Sequence, residues 1–282
     1  MPPNAPKLGL IAGGGLLPEI LAKRCRDSGR GLFVAVLNGQ GDPTRYPADC
    51  TETFRLGAAG KLIKHLRAEG VEEVTFAGSV RRPKATDLIP DLWTTKFLAR
   101  TKAMGLGDDG LLSAIVQALE TEEGFRVVGP SEIAPELLAP TGAVGSHSLS
   151  LAMAADLAAG IAGARDLGRR DVGQAVIAKG GKVICEEGLE GTEALVRGAG
   201  EAARGGILVK AMKPAQEARV DLPASGPDTV DQAVAAGLAG IAVEAGRSLM
   251  LDRETMVARA DAAGIVLYGF SEADATPDAG TA

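Results

Sequence analysis

The sequence predicts a two-part α/β protein: an open, parallel, doubly wound sheet first, then a second, mixed α/β domain. Three observations carry this expectation. Short apolar runs alternate with stretches of helical periodicity, the pattern of strands joined by right-handed helical crossovers. Aromatic residues make up only 3% of the chain against 46% hydrophobic residues in all, so the core is aliphatic, as suits helices packed on a parallel sheet. At 282 residues the chain is also long enough for two ordinary domains.

The first run, Leu8-Gly-Leu-Ile-Ala12, reads as a strand that stops at Gly13-Gly14-Gly15. A helix follows over 16–25, with Leu17, Ile20, Leu21 and Ala22 on one face. Leu32-Phe-Val-Ala-Val-Leu37 is continuously apolar, as a strand buried on both faces should be, and leads into a polar, glycine-bearing loop over 38–42. A helix over 58–68, a strand over 73–77 ending in Gly78-Ser79, helices over 91–103 and 109–120, and a strand over 125–128 complete the first half. Pro135, Pro140, Gly142 and Gly145 mark the linker, which places one domain at 1–137 and the other at 138–282.

The second half opens on a small-residue helix over 148–164. Strands over 174–179 and 182–186 flank Gly180-Gly181 as a hairpin. A helix over 192–204, a strand over 207–210, a helix over 229–238 and strands over 241–243 and 248–251 follow. Asp252 has the chemistry to cap the next helix, 265–268 is the last strand, and the chain from Ser271 reads as a frayed tail.

The net charge of -6, without a basic stripe, argues against a nucleic-acid partner. Three cysteines without metal-ligand spacing point to a reducing compartment. No uncharged apolar stretch of about 18 residues and no signal-peptide pattern is present, so a cytoplasmic protein is expected.

Four places carry candidate chemistry. Gly13-Gly14-Gly15 joins a strand to a helix, where bare amides can cradle an anion, or where the chain simply turns tightly. It has neither the G-x-G-x-x-G spacing nor a Gly-Lys-Ser/Thr ending. Gly78-Ser79-Val-Arg81-Arg82-Pro83 stands at the carboxyl end of a strand, where open sheets bind ligands; the alternative is a solvated basic turn. Asp108-Asp109 precedes a helix, and the pair can cap it or take Mg²⁺. The densest set runs from Lys210 through Lys213, Gln216, Arg219, Asp221 and Asp228 to Thr229, with prolines restricting its path. Such a loop suits an anionic ligand with a divalent cation. Capping accounts for Asp228 or Thr229 but poorly for Asp221. Gln174, Lys179, Glu190, Thr192 and Glu193 form a looser polar set around the hairpin, and the histidines, His65 and His147, show no ligand motif.

Taken in order, these pieces resemble the LpxI-type UDP-2,3-diacylglucosamine pyrophosphatases of lipid A biosynthesis. The resemblance rests on Leu8-Gly-Leu-Ile-Ala-Gly-Gly-Gly-Leu-Leu-Pro18, Phe76-Ala-Gly-Ser-Val-Arg-Arg-Pro83, Gly107-Asp-Asp-Gly-Leu-Leu112 and Asp171-Val-Gly-Gln-Ala-Val176. Glu190-Gly-Thr-Glu193, Lys213-Pro-Ala-Gln216, Arg219-Val-Asp-Leu-Pro223 and Ala239-Gly-Ile-Ala-Val-Glu-Ala-Gly246 extend it over nearly the whole chain. It implies a Rossmann-like amino-terminal domain and a distinct carboxyl-terminal one, with substrate held between them. It also implies Mg²⁺-dependent hydrolysis of UDP-2,3-diacylglucosamine to 2,3-diacylglucosamine 1-phosphate (lipid X) and UMP.

On this resemblance Asp221 is the essential aspartate, ligating Mg²⁺ or positioning a water, with Asp108 and Asp109 as further metal candidates. Lys210, Lys213 and Arg219 would neutralise developing charge. Gly13, Gly14, Gly15, Gly78, Ser79, Arg81, Gln174, Lys179, Thr192, Gln216 and Thr229 would contact substrate. Ala224-Ser225 and Glu193 depart from the commoner family residues. The acyl chains call for an apolar cleft, which the helix over 148–164 and the loop over 224–240 would line unless both are ordinary core, and for transient inner-leaflet contact. A homodimer is compatible with all of this. Two other functions stay open: a non-catalytic nucleotide-sugar or lipid sensor, and a Rossmann-type dinucleotide-dependent oxidoreductase. The second is disfavoured because strand two ends in Asn38, not in an acidic residue that would hold a ribose.

Overall fold

A computed structural model describes residues 5–81, 88–102, 107–214 and 216–275, without the side chain of Asp108. Arg82 and Pro83 of the basic turn, and residues 276–282 of the expected tail, therefore lie outside the described residues. The chain forms two compact units. One is Met1–Glu136 with Glu217–Asp221, the other Leu137–Gln216 with Leu222–Ala282.

The first unit contains β1 (Leu8–Ala12), α1 (Leu17–Asp27), β2 (Leu32–Leu37), β3 (Thr51–Phe54), α2 (Ala59–Ala68), β4 (Glu73–Ala77), α3 (Leu92–Thr101), α4 (Asp108–Thr121), β5 (Arg126–Val127) and α5 (Pro130–Ile133). The strands pair in the order β3-β2-β1-β4-β5, all parallel. Ile11, Phe33, Ala35 and Val74 meet Leu62, Ile63 and Leu66 of α2 and Val116 and Leu119 of α4 on one face. Leu10 and Ala12, one residue out of phase, face the other way, toward the side of α1. The sheet is thus doubly wound as expected, and its chain order reverses between β1 and β4. β3 was not anticipated. It is an edge strand, Thr-Glu-Thr-Phe, with only Phe54 buried.

The second unit holds β6 (Gly142–Ala143), α6 (Leu151–Arg169), β7 (Ala175–Lys179), β8 (Lys182–Glu186), α7 (Gly191–Gly198), β9 (Ile207–Lys210), β10 (Ala224–Ser225), α8 (Pro227–Ala235), β11 (Gly240–Glu244), β12 (Leu249–Met250), α9 (Arg253–Ala263) and β13 (Val266–Phe270). Its main sheet runs β6-β13-β11-β9-β7-β8, with β9, β11 and β13 parallel and β6, β7 and β8 antiparallel to their neighbours. Alternate residues serve opposite faces. Ile177, Leu208 and Ile241 pack with α7, α8 and α9, while Val176, Val209 and Ala242 pack with α6. Gly180 and Gly181, at φ 62° and 69°, make the expected hairpin turn.

Two expectations change. The small-residue helix is not a cleft wall: Leu157, Ile161, Ala164 and Leu167 are core, and the helix presses directly on the sheet. The tail is ordered at least to Ala275, because Asp274 accepts from Ser271 N at 2.7 Å and from Tyr268 Oη at 3.0 Å. Among the described residues no helix is long and apolar enough to cross a membrane.

A Cβ on Gly160 would collide with Val209 Cγ2, whereas nothing lies within 4 Å of one on Gly198. Gly160→Ala should therefore destabilise by about 1–3 kcal/mol although alanine is the better helix former. Gly198→Ala should stabilise by up to about 1 kcal/mol. Urea-unfolding midpoints of the two variants should move in opposite directions.

Candidate functional site

At the carboxyl edge of the first sheet, three loops interlock. Gly13 N donates to Ala77 O at 2.8 Å, and Gly14 and Ser79 exchange N–H···O bonds at 2.9 Å each. Arg81 N donates to Gln40 Oε1 at 2.8 Å, tying in the loop after β2. Side chains are excluded here by backbone contact: a Cβ on Gly78 would run into Gly14 O, one on Gly13 into Ser79 O, and one on Gly41 would sit 2.7 Å from Gly13 O. These glycines permit close packing of loop on loop. Two of the three amides expected to face an anion are already engaged by carbonyls, so the anion nest does not form at Gly13 and Gly14. Gly15 differs, with φ +91° and open space where a Cβ would be.

Beside this knot lies a cleft of about 320 Å³ lined by Gly15, Glu19, Gln40, Asp42, Arg45 and Tyr46. Its charges are matched internally, since Arg45 pairs with Glu19 at 3.1 Å. Burial, and after it the neighbouring Glu19, push the Tyr46 hydroxyl up to about 12.

The Lys210 to Thr229 loop is fastened at both ends in the second unit. Lys210 closes β9 at 5% exposure, and its Nζ donates to Ala224 O, the first residue of β10, at 2.8 Å. Pro223 O and Ser225 O accept from Leu249 N and Leu251 N, each at 2.8 Å. Lys213 Nζ pairs with Asp171 at 2.9 Å, and Gln216, buried, accepts from Lys213 N at 3.1 Å. Thr229 Oγ1 accepts from Gly226 N at 3.2 Å and so caps α8.

The middle of the loop belongs to the first unit. Val220 N and Asp221 N both donate to Glu217 O, closing a tight turn, and Val220 packs on that unit's core. Arg219 reaches Glu217 through Nε and one terminal nitrogen, each at 3.0 Å, and Glu120 through the other at 2.7 Å. Its guanidinium holds its proton more firmly than usual, chiefly through Glu217. Gly129 lets the Arg219 backbone approach, with a notional Cβ only 3.2 Å from Arg219 Cα. The result is a rigid turn that presents Asp221, half-buried, at its end.

The sequence matches two family models in succession, the LpxI N-terminal domain over residues 7–137 and the LpxI C-terminal domain over residues 140–268. It is also 42% identical over 275 residues to the UDP-2,3-diacylglucosamine pyrophosphatase LpxI of Caulobacter vibrioides, covering 93% of this chain and 97% of that protein. The chain belongs to the LpxI family.

With the LpxI assignment in hand, the expected site residues divide into those that meet and those already engaged elsewhere. Gln174, through its backbone N–H, and Thr192, through its hydroxyl, meet at Glu187, a buried residue that sequence reasoning passed over. Glu187 accepts from Gln174 N at 2.7 Å, Ala175 N at 3.1 Å and Thr192 Oγ1 at 2.6 Å, and it is the charged group acting on Lys210. Its position just past a strand, in Cys185-Glu-Glu-Gly188, resembled solvated charge. Lys210 itself is buried, and its ammonium donates to Ala224 O. Arg219 is likewise no open cation. Lys179 donates to Ala202 O at 3.4 Å beside the hairpin, and Arg81 is exposed.

Asp109 is buried in the first turn of α4. Among the described residues no three His, Cys, Asp or Glu side chains converge as a metal-binding group.

Gly78 sits at φ +88° with Gly14 O where its Cβ would be. Gly78→Ala should cost about 2–4 kcal/mol from strain and forced loop separation. Gly15→Ala, strained in backbone but unobstructed, should cost only about 1–2 kcal/mol. Thermal unfolding of the two variants tests whether interlocking sets the difference.

Proposed function

We propose that this protein hydrolyses the pyrophosphate of UDP-2,3-diacylglucosamine, giving 2,3-diacylglucosamine 1-phosphate (lipid X) and UMP for lipid A biosynthesis. One observation carries the reading: 42% identity, over nearly the whole length of both chains, with a relative bearing the name of that activity. The site supports it. Asp221 is half-buried on a turn fixed by two backbone bonds and an arginine-carboxylate clamp, and such rigidity is what in-line attack on phosphorus requires.

In this reading Asp221 positions the attacking water, while exposed Arg81 and the backbone at Gly15 bind substrate oxygens in the first unit. Mg²⁺ dependence is part of the proposal. The ion would draw most of its ligands from pyrophosphate and water, with Asp221 as the protein carboxylate; Asp108, the other candidate, has a side chain outside those described. When bound, the ion would withdraw charge from the phosphate oxygens.

A lipid substrate also calls for transient contact with the inner leaflet from the cytoplasmic side. Exposed Ile89 and Leu92 in the first unit, and Leu151 and Leu189 in the second, are apolar side chains available for it. The assembly proposed is a homodimer, which light scattering would check.

Incubation with UDP-2,3-diacylglucosamine and Mg²⁺ should release UMP, and chelation should stop it reversibly. Asp221→Asn, with an unchanged circular dichroism spectrum, should lower turnover by about 100-fold or more while still binding substrate. Near-normal turnover in that variant would remove Asp221 from its role. In ¹⁸O-water the labelled product reports which phosphorus is attacked.

A further inference from the structure

We infer that the cleft beside the glycine knot holds the nucleoside half of the substrate, with Asp42 as the acceptor of the ribose hydroxyls. The identity of that half as uridine 5′-phosphate rests on the proposed function, whereas the geometry of the cleft does not. Every residue that lines it belongs to the first unit. The cleft opens between the loop after β1 and the loop after β2. This is the carboxyl edge of a doubly wound sheet, where such sheets bind ligands. Its volume of about 320 Å³ falls within the range of small-molecule sites.

The charges of the lining decide which part of a nucleotide fits. Glu19 and Asp42 are set against Arg45. Arg45 is spent on Glu19, whose two carboxylate oxygens lie 3.1 and 3.3 Å from one guanidinium nitrogen. Asp42 uses a single oxygen, Oδ1, to accept from Thr44 N at 3.0 Å and from Thr44 Oγ1 at 2.7 Å. Its other oxygen, Oδ2, stands 3.6 Å from Arg45 Nε, too far for a hydrogen bond, and so keeps its capacity to accept. A carboxylate in this state repels a phosphate and suits a ribose, whose hydroxyls donate. Strand β2 ends without an acid, but Asp42 follows on the same loop, where doubly wound sheets place the carboxylate that holds a ribose.

The rest of the lining serves the ends of the nucleotide. Gln40 accepts from Arg81 N through Oε1 at 2.8 Å, which fixes the amide and leaves its nitrogen to donate to a base carbonyl. The 5′-phosphate falls to Gly15, where nothing lies within 4 Å of a notional Cβ and no side chain caps the helix that follows.

The test uses the full chain and ligand-observed NMR titrations with UMP and 2′-deoxy-UMP, which need no turnover. The parent should bind UMP about tenfold more tightly than 2′-deoxy-UMP. Asp42→Asn keeps an oxygen for the Thr44 cap and puts a donor in place of Oδ2. It should weaken UMP binding about tenfold and bring the two ligands within about threefold of each other. Asp42→Ala, with its circular dichroism unchanged, should do the same. Equal affinity of the parent for both ligands, or no binding of UMP, overturns the inference. Tighter UMP binding by Asp42→Asn also overturns it, by placing the phosphate beside that residue. A loss common to both ligands marks a structural role and overturns it as well. Turnover separates this outcome from the functional reading. UMP release from UDP-2,3-diacylglucosamine without discrimination between the sugars leaves the reaction standing and removes the cleft assignment. Discriminating UMP binding without release keeps the cleft and removes the reaction.

Discussion

The Lys210 to Thr229 loop is closed at its base by a hydrogen bond from the Lys210 ammonium to the Ala224 carbonyl, beside the Leu249 and Leu251 amides that hold Pro223 and Ser225. The loop it closes leaves the second unit, contributes Glu217–Asp221 to the first, and returns. A long excursion of this kind costs conformational entropy at every ordered residue. Its charges are matched point by point: Lys213 by Asp171, Arg219 by Glu217 and Glu120, and Lys210 by the Ala224 carbonyl. Exposed ion pairs contribute little each, so the partly buried Lys213 pair and the bidentate Arg219–Glu217 contact matter most.

The fold was legible wherever burial on both faces had written an apolar run. β2, β4 and β9 have the bounds expected for them, β1 ends where its glycines begin, and the exposed edge strand β8 was placed instead by the hairpin glycines before it. What escaped is short or lies at an edge. β3 has one buried side chain, and β6, β10 and β12 are two residues each, of which only β12 lay within an apolar run. Nothing in a dipeptide such as Ala224-Ser225 announces a ladder; its strand identity comes from pairing with Leu249 and Met250. The same holds for the helix expected over 192–204. It stops at Gly198, and the chain passes Gly200 at φ 66° before a short turn of 3-10 helix.

The candidate site was legible as a location more than as a set of roles. Its loop stood out because lysines, arginine and aspartates alternate between prolines, the composition of a ligand site. The partners that engage those charges come from far along the chain: Glu120 lies 99 positions before Arg219, and Asp171 lies 42 before Lys213. A charge and its distant counter-ion cannot be matched by spacing, so internal ion pairs read as open binding groups. Glu187 was hidden for the converse reason. Beside Glu186, which is exposed and pairs with Arg170, it resembled one more solvated carboxylate, yet strand β8 ends so that one of the two points in and the other out.

The glycine loop illustrates how one sequence signal can arise from two physical demands. Glycine admits a ligand to the backbone, and it also admits another backbone. At Gly13, Gly14 and Gly78 the second demand is met by carbonyl oxygens already in place, which removes the amides a pyrophosphate nest would use. In the proposed reaction the knot would still serve the substrate. By locking the loops after β1, β2 and β4 to one another, it fixes the carboxyl edge of the sheet, where Arg81 and Gly15 remain exposed or unobstructed. Preorganisation of this kind limits how far the groups at that edge must move when a charged substrate arrives, and a rigid edge stabilises developing charge better than a yielding one.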